Sequence, residues 1–442
     1  MTDPIAEART IAHQRLVEAI VRDEHGEPCG TVASTADRES HYQNVWTRDN
    51  VAPMLYFLDE EPRLVRDFLE ALMRRQSSDR RTRGLIPIGF SPRFAHVDFG
   101  GEEAIGAIYS IDSTLWFMIL LGLYVEVMDD SGWLEQHRKH LEAALGLVLA
   151  PRFDPLPLLG APESVTEIDR PAGLYGYPLQ LQILATLALR WSERLLKRLG
   201  EVDLAEICAS EAMAITSWIN RWYWLDRELI QERLTLPSEG YGAGNLNPFN
   251  LDYRRLEGRI AWLAEGGFLA GTLRARHVDT RFWSLPNCLA AISGIVSDSR
   301  ATSIVRTIED QAPVLLGEMP MAVCWPELRG SSYQIVMDSD PRGGPGIFHN
   351  GAHWPNLLWT FVPAAIKAGK RELAEQALQL AARRLPFSWG EYYDRRGRLG
   401  KGARSFQTWS IAGFLLAERT LNASATDRLW HVHLMPQAGW QS

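Results

Sequence analysis

The residues of this chain best suited to chemistry are carboxylates set among aromatic side chains. Asp169 stands in Glu167-Ile168-Asp169-Arg170, and Glu391 in Ser388-Trp389-Gly390-Glu391-Tyr392-Tyr393-Asp394. Aromatic surroundings strip water from a carboxyl group, and desolvation raises its pKa, which keeps one acid protonated near neutral pH. Glycoside hydrolysis uses such a pair: one carboxyl donates a proton to the leaving oxygen and the other accepts one from water. Spacing alone does not select these two from 54 acidic residues, for which ion pairs and helix caps are the competing roles.

Other segments have the composition of sugar-hydroxyl binders. Tyr42-Gln43-Asn44-Val45-Trp46-Thr47-Arg48-Asp49 places an Arg–Asp couple beside an aromatic, and a loop-fixing ion pair is the alternative use. Asp112 is either a binder or a helix N-cap. His277-Val278-Asp279-Thr280-Arg281-Phe282-Trp283 reads as an aromatic and ionic clasp between loops. His349 and His353 lack an H-E-x-x-H context and are separated by Gly351, so no metal is expected. Arg342-Gly343-Gly344-Pro345-Gly346 lacks the Lys-Ser/Thr of a phosphate loop and reads as a turn. No cofactor is called for.

These residues need elements to position them, and hydrophobic periodicity predicts helices at 5–22, 50–58, 62–75, 112–128, 133–149, 178–198, 202–222, 283–296, 300–312, 354–368, 371–384 and 405–421. The links 59–61, 129–132, 199–201, 297–299 and 369–370 are short enough only for antiparallel helix pairs. The links 23–49, 76–111, 150–177, 223–282, 313–353 and 385–404 are long and carry every polar-aromatic segment above. Alternating helix direction puts all six long links at one end. The predicted fold is therefore all-α, an (α/α)6 barrel of six hairpins with one loop-built pocket, in a single domain spanning 1–442. The segment 112–128 is apolar nearly all round, as an inner helix must be, whereas 371–384 is amphipathic like an outer one.

Bulk composition narrows the partners. A net charge of −8 and a pI near 5.8 argue against nucleic acid. The start of the chain lacks a basic-then-apolar leader, and the most apolar run, 115–127, is too short for a bilayer and contains Glu126. A cytoplasmic protein with no membrane partner is expected, with Cys29, Cys208, Cys288 and Cys324 as reduced thiols. Sixteen tryptophans are many for 442 residues. Trp46, Trp116, Trp283, Trp325, Trp354, Trp389 and Trp409 fall on long links or just after them, where indole faces can stack on sugar rings or pack the barrel mouth.

In order along the chain, several segments resemble the alkaline/neutral invertases, glycoside hydrolase family 100. They are Val45-Trp46-Thr47-Arg48-Asp49; Gly101-Glu102-Glu103-Ala104-Ile105-Gly106 with Asp112-Ser113 and Leu115-Trp116; Ile168-Asp169-Arg170; Asp279-Thr280-Arg281-Phe282; Ser339-Asp340-Pro341 with His349-Asn350-Gly351 and Trp354-Pro355; Glu391-Tyr392-Tyr393-Asp394; and Phe406-Gln407-Thr408-Trp409. The resemblance implies an (α/α)6 barrel that hydrolyses the α-glucosyl bond of sucrose with inversion. It implies Asp169 as general acid and Glu391 as general base, and self-association. It adds Arg48, Asp49, Asp112, Arg281, His349, Arg404 and Gln407 as residues in or beside the sugar site, next to the aromatic candidates Tyr42, Trp46, Trp116, Trp354 and Trp409.

The chain departs from the family pattern at Tyr175, Tyr177 and Gln180, where titratable or charged residues are expected, and at Gln43. Tyr175, Tyr177 and Gln180 are thereby candidate leaving-group contacts, and the substrate can be a small α-glycoside other than sucrose. Two further classes compete: a sugar epimerase using His349 and His353, and a sugar-binding protein without turnover.

Overall fold

Pro62 opens a helix whose Leu64, Val65, Phe68, Leu69 and Leu72 form one buried stripe, and the chain repeats such hairpins around an axis. The computed structural model describes residues 3–36, 41–93, 96–100, 111–150, 156–235, 248–424, 427, 429, 431–432 and 434–436. The motif 101–106 lies outside the described residues.

Twelve helices build the barrel: α1 Pro4–Glu18, α2 Val51–Glu60, α3 Pro62–Arg74, α4 Ile111–Met128, α5 Ser131–Val148, α6 Leu179–Arg198, α7 Val202–Trp218, α8 Ser284–Ser293, α9 Asp298–Asp310, α10 Leu358–Lys367, α11 Arg371–Arg384 and α12 Thr408–Asn422. The inner ring runs α2, α4, α6, α8, α10, α12, each packed on the next, and α12 closes it against α2. Five outer helices follow their inner partners through the short links, and α1 packs on α12 as the sixth pair. This is the expected (α/α)6 barrel.

Inner helices are buried on nearly every side: every residue of α8 is buried, as is α4 from Asp112 to Val125. By length and composition α4 is apolar enough to cross a bilayer, which corrects the sequence expectation, but here it is a core helix. Its one late charge, Glu126, pairs with Arg194 and Arg198 of α6. Some outer helices carry side-chain caps: Asp130 accepts from Trp133 N at 2.8 Å, and Ser297 caps α9.

Several differences from expectation concern the connections. The first helix stops at Glu18, and Ile20–Arg22 turns back as a strand on Pro28–Thr31 about Gly26, whose φ is 83°. β-branched Ile20 and Val21 suit a strand better than a helix end. Short helices Arg227–Thr235, Tyr253–Arg259 and Gly330–Val336 also fold within long links.

The long links are tied to one another by brief antiparallel pairs. Val45–Trp46 pairs with Gly89–Phe90, Tyr177–Pro178 with Thr272–Arg274, and Phe282–Trp283 with Cys324–Trp325. His353 bridges to Tyr393, and Gln407 to Ser34. Among the described residues, these ties join the first link to the second, and the third through the sixth in turn back to the first. All six links therefore crowd at one mouth.

The inner-ring seam between α4 and α6 depends on Gly122. A Cβ there would come within 2.6 Å of the fully buried Trp191 indole, whose Nε1 donates to the Leu434 carbonyl. Gly122→Val should lower stability by about 1–3 kcal/mol in denaturant unfolding. Unchanged stability would show slack in that seam.

Candidate active site

The loop mouth encloses a cavity of about 510 Å³, the size of a small-molecule site. The first link contributes His41, Tyr42, Trp46, Arg48 and Asp49 to its wall; the third, Glu167, Asp169 and Arg170. The fifth link brings Phe348, His349 and Trp354, and the sixth brings Glu391, Tyr392, Lys401 and Arg404, with Trp409 from the first turn of α12. The expected residues Tyr42, Trp46, Arg48, Asp49, Asp169, His349, Trp354, Glu391, Arg404 and Trp409 therefore meet in one place.

Each carboxylate is held by its own loop. Ile168 is buried, while Glu167 and Asp169 on either side of it line the cavity. His349 Nε2 lies 3.0 Å from Asp169 Oδ1. Burial lowers the His349 pKa, so the ring is neutral near pH 7 and its Nε2–H donates to the Asp169 carboxylate. The imidazole stacks on Trp354 at 5.0 Å and 13°, and Trp354 stacks in turn on Tyr392 at 5.5 Å and 22°. Glu391 accepts from Tyr42 Oη and from the Arg404 backbone N–H, both at 3.2 Å. Gly390, just before it, donates its N–H to Tyr393 Oη at 2.6 Å, and a Cβ there would meet Leu399 at 2.3 Å. A side chain there would have to displace the Leu399 and Tyr393 side chains.

Arg48 grips Asp112 with two bonds, Nε to Oδ2 at 2.6 Å and Nη2 to Oδ1 at 3.0 Å. Asp112 is fully buried in the first turn of α4, and its charge keeps Arg48 ionised. Around this arginine the acids separate in proton affinity. Burial pushes Glu391 and Asp49 each to about 7, and Glu167 to about 8, with neighbouring acids adding to the shift. Burial also raises Asp169, but the His349 bond and the charges of Arg48 and Arg170 outweigh it, holding Asp169 below the usual range. Among these acids the proton sits on Glu391 and Glu167 before Asp169.

Seven expected binders do not line the cavity. Asp112 stands behind Arg48. Trp116 is buried against Trp359. Arg281 is locked to Asp279 and donates to the Ala172 carbonyl, so it clamps the Asp169 loop from outside; Trp283 Nε1 joins the same clasp. Gln407 is buried where its backbone bridges Ser34, ahead of α12. Tyr175 is 39% exposed under the Arg274 guanidinium. Tyr177 is spent in a strand, and Gln180 is buried in the first turn of α6. The last three therefore stand off the wall of this cavity as the described residues form it. His353 is also off the cavity; it lies against the Met319 carbonyl, and burial lowers it to about 4. Among the described residues no group of His, Cys, Asp and Glu is arranged to hold a metal ion.

Sequence reasoning missed Glu167, Arg170, Arg342, Phe348, Tyr392 and Lys401. Glu167 stands in the same short segment as Asp169, but nothing periodic in that loop marks which way its side chain turns.

The alkaline and neutral invertase family profile matches residues 12–424. Cytosolic invertase 1 of Oryza sativa subsp. japonica is 34% identical over 425 residues, covering 90% of this chain and 75% of that protein. The chloroplastic alkaline/neutral invertase E of Arabidopsis thaliana is 33% identical over 429 residues, 90% of this chain and 69% of its own. Among solved structures, a family 63 mannosylglycerate hydrolase from Thermus thermophilus, in complex with glucose, superposes with a TM-score of 0.60 at 14% identity, covering 93% of this chain and 99% of that one. A bacterial glucoamylase complexed with acarbose gives 0.61 at 11% identity, covering 98% and 58%. These two share the fold.

The three raised acids set a pH dependence of stability. Each keeps its proton in the folded state where the unfolded chain has released it, so raising the pH favours unfolding, and the loss is complete only above about 7 to 8. His277 and His353, both lowered to about 4, act in the opposite sense and only below about 6.5. Unfolding free energy should therefore fall by on the order of 2 kcal/mol between about pH 6.5 and about pH 8.5. Glu391→Gln should flatten that slope. A flat wild-type profile would mean that the acids are not desolvated.

Proposed function

The chain belongs to the alkaline and neutral invertase family, and on that premise we propose that it hydrolyses the α-glucosyl bond of sucrose with inversion of the anomeric carbon. The chain is a glycoside hydrolase by family, and sucrose is the substrate that the relatives' invertase names favour. The observation that carries the reading is that Asp169 and Glu391, from different links, line one aromatic-walled cavity. Asp169 protonates the glycosidic oxygen as the bond to the leaving sugar breaks. Glu391 takes a proton from water as its oxygen attacks the anomeric carbon from the opposite face. Trp46 supports sugar stacking: its Nε1 donates to the His41 carbonyl, which fixes the indole at the wall. Asp49 makes no side-chain hydrogen bond with the described residues and is available to sugar hydroxyls.

A base with a pKa near 7 suits catalysis at neutral to alkaline pH, because it is ionised there and still retains basicity. The same proton distribution favours a second reading, with the two roles exchanged. Asp169 is the ionised member of the pair before substrate binds, and Glu391 is the one that holds a proton. For the first assignment to operate, the proton must reach Asp169 when substrate displaces cavity water. His349 can permit this, since its other tautomer presents a bare Nε2 that accepts from a protonated Asp169.

Leaving-group chemistry separates the two assignments. Asp169→Asn and Glu391→Gln should each cut sucrose turnover about a thousandfold. α-Glucosyl fluoride needs no proton for departure, so Asp169→Asn should retain much of its rate on that substrate and Glu391→Gln should not. The reverse pattern exchanges the roles. Proton NMR of wild-type turnover should show β-glucose first; α-glucose first would overturn inversion. In the wild type kcat/KM should rise with pH through about 7 as Glu391 ionises. A profile falling through the same range would support the exchanged roles.

A further inference from the structure

The mechanism above leaves one cavity carboxyl without work. Glu167 faces the cavity beside Asp169, yet its side chain makes no hydrogen bond or ion pair with the described residues. It also borders two small voids of about 10 Å³ each, the room of a single water. One of these is shared with Gln180, 5% exposed, whose Nε2 is buried without a partner among the described residues. The other is shared with His349, Trp354 and Trp409. Glu167 and Gln180 thus line one water-sized space together, and Glu167 also lines the cavity.

We propose that Glu167 is a further substrate-binding residue of this glycosidase, a neutral acid that donates its O–H to a hydroxyl oxygen of the bound sugar. Its other oxygen accepts from a water held by the Gln180 amide. The inference rests on the cavity being the sugar site and is independent of which carboxyl is acid or base. The groups around Glu167 are Asp112 on α4, Asp49 and Arg48 on the first link, Asp169 on its own segment and His349 on the fifth. Burial, then the three aspartates acting against Arg48, keeps Glu167 protonated to about 8. A second carboxylate beside Asp169 would repel it; a neutral acid does not, and it supplies a donor that a carboxylate lacks.

The test is steady-state sucrose kinetics of the full chain from about pH 6.5 to about pH 9, for wild type, Glu167→Gln and Glu167→Ala. Asp49 and Glu391 titrate in all three proteins, so the difference between profiles belongs to Glu167. Wild-type KM should rise about threefold or more above pH 8, while KM of Glu167→Gln, which keeps a donor at every pH, should not. Glu167→Ala should raise KM about tenfold at pH 7, with kcat changed less than threefold. A wild-type KM that stays flat above pH 8, the same rise in Glu167→Gln, or an unaltered KM in Glu167→Ala overturns the proposal. Thermal unfolding checks folding, and the isosteric Gln variant carries the test if the Ala variant does not fold. If sucrose is not turned over, the substrate reading fails separately, and calorimetric binding of D-glucose by wild type and Glu167→Gln at pH 7 and pH 9 decides the inference. Affinity lost at pH 9 in the wild type alone supports it. Equal loss in both proteins, no loss in either, or no binding to the wild type overturns it.

Discussion

One buried guanidinium organises the charge of the cavity. Arg48 is bonded through two atoms to Asp112 and stands within the field of Asp49, Glu167 and Asp169. Four acids around one arginine cannot all be ionised in a place with little water, so the cluster must retain protons. Asp112 belongs to the inner helix α4, which means that the barrel wall itself anchors the arginine. The cost of assembling these charges is borne by the core packing of the inner ring rather than by the loops that present them.

The loops are irregular, but they are not independent. Among the described residues, short strand pairs and single bridges fasten the first link to the second, and the third through the sixth in turn back to the first. The Asp279–Arg281–Trp283 clasp holds the Asp169 segment by its Ala172 carbonyl. A close-packed turn at Gly390 presents Glu391, and the stacked His349, Trp354 and Tyr392 rings form one wall. A displacement of one loop would be passed to the next through backbone hydrogen bonds. Such a belt holds the acids in fixed geometry, as proton transfer requires.

His349 connects the two themes. It is part of the aromatic wall by stacking and part of the acid cluster by its bond to Asp169. Its neutral ring can either donate to an ionised Asp169 or accept from a protonated one. The cavity without substrate favours the first state, whereas proton donation to a glycosidic oxygen requires the second. A ring that serves both states lets the carboxyl change protonation without losing its position.

What the sequence by itself determined is the set of helices and their pairing. Hydrophobic period marked helices to within a few residues, and link lengths then required hairpins with all long connections at one end. Those signals are local, so they survive without knowledge of neighbours. The motif order carried the family, and with it the candidate acids. Only the tertiary structure decided which loop side chains face the cavity. Asp112, Arg281 and Gln407 look as polar in sequence as Arg48 and Arg404, yet they hold the scaffold from behind. Tyr175 turns outward beneath Arg274, while Glu167 turns inward. Direction in a loop depends on irregular backbone angles, such as the positive φ of Phe348 and Trp389, and on contacts with distant segments. Neither leaves a periodic trace in the chain. The proton distribution is likewise a tertiary property, because it follows from burial and from charges contributed by α4 and separate links.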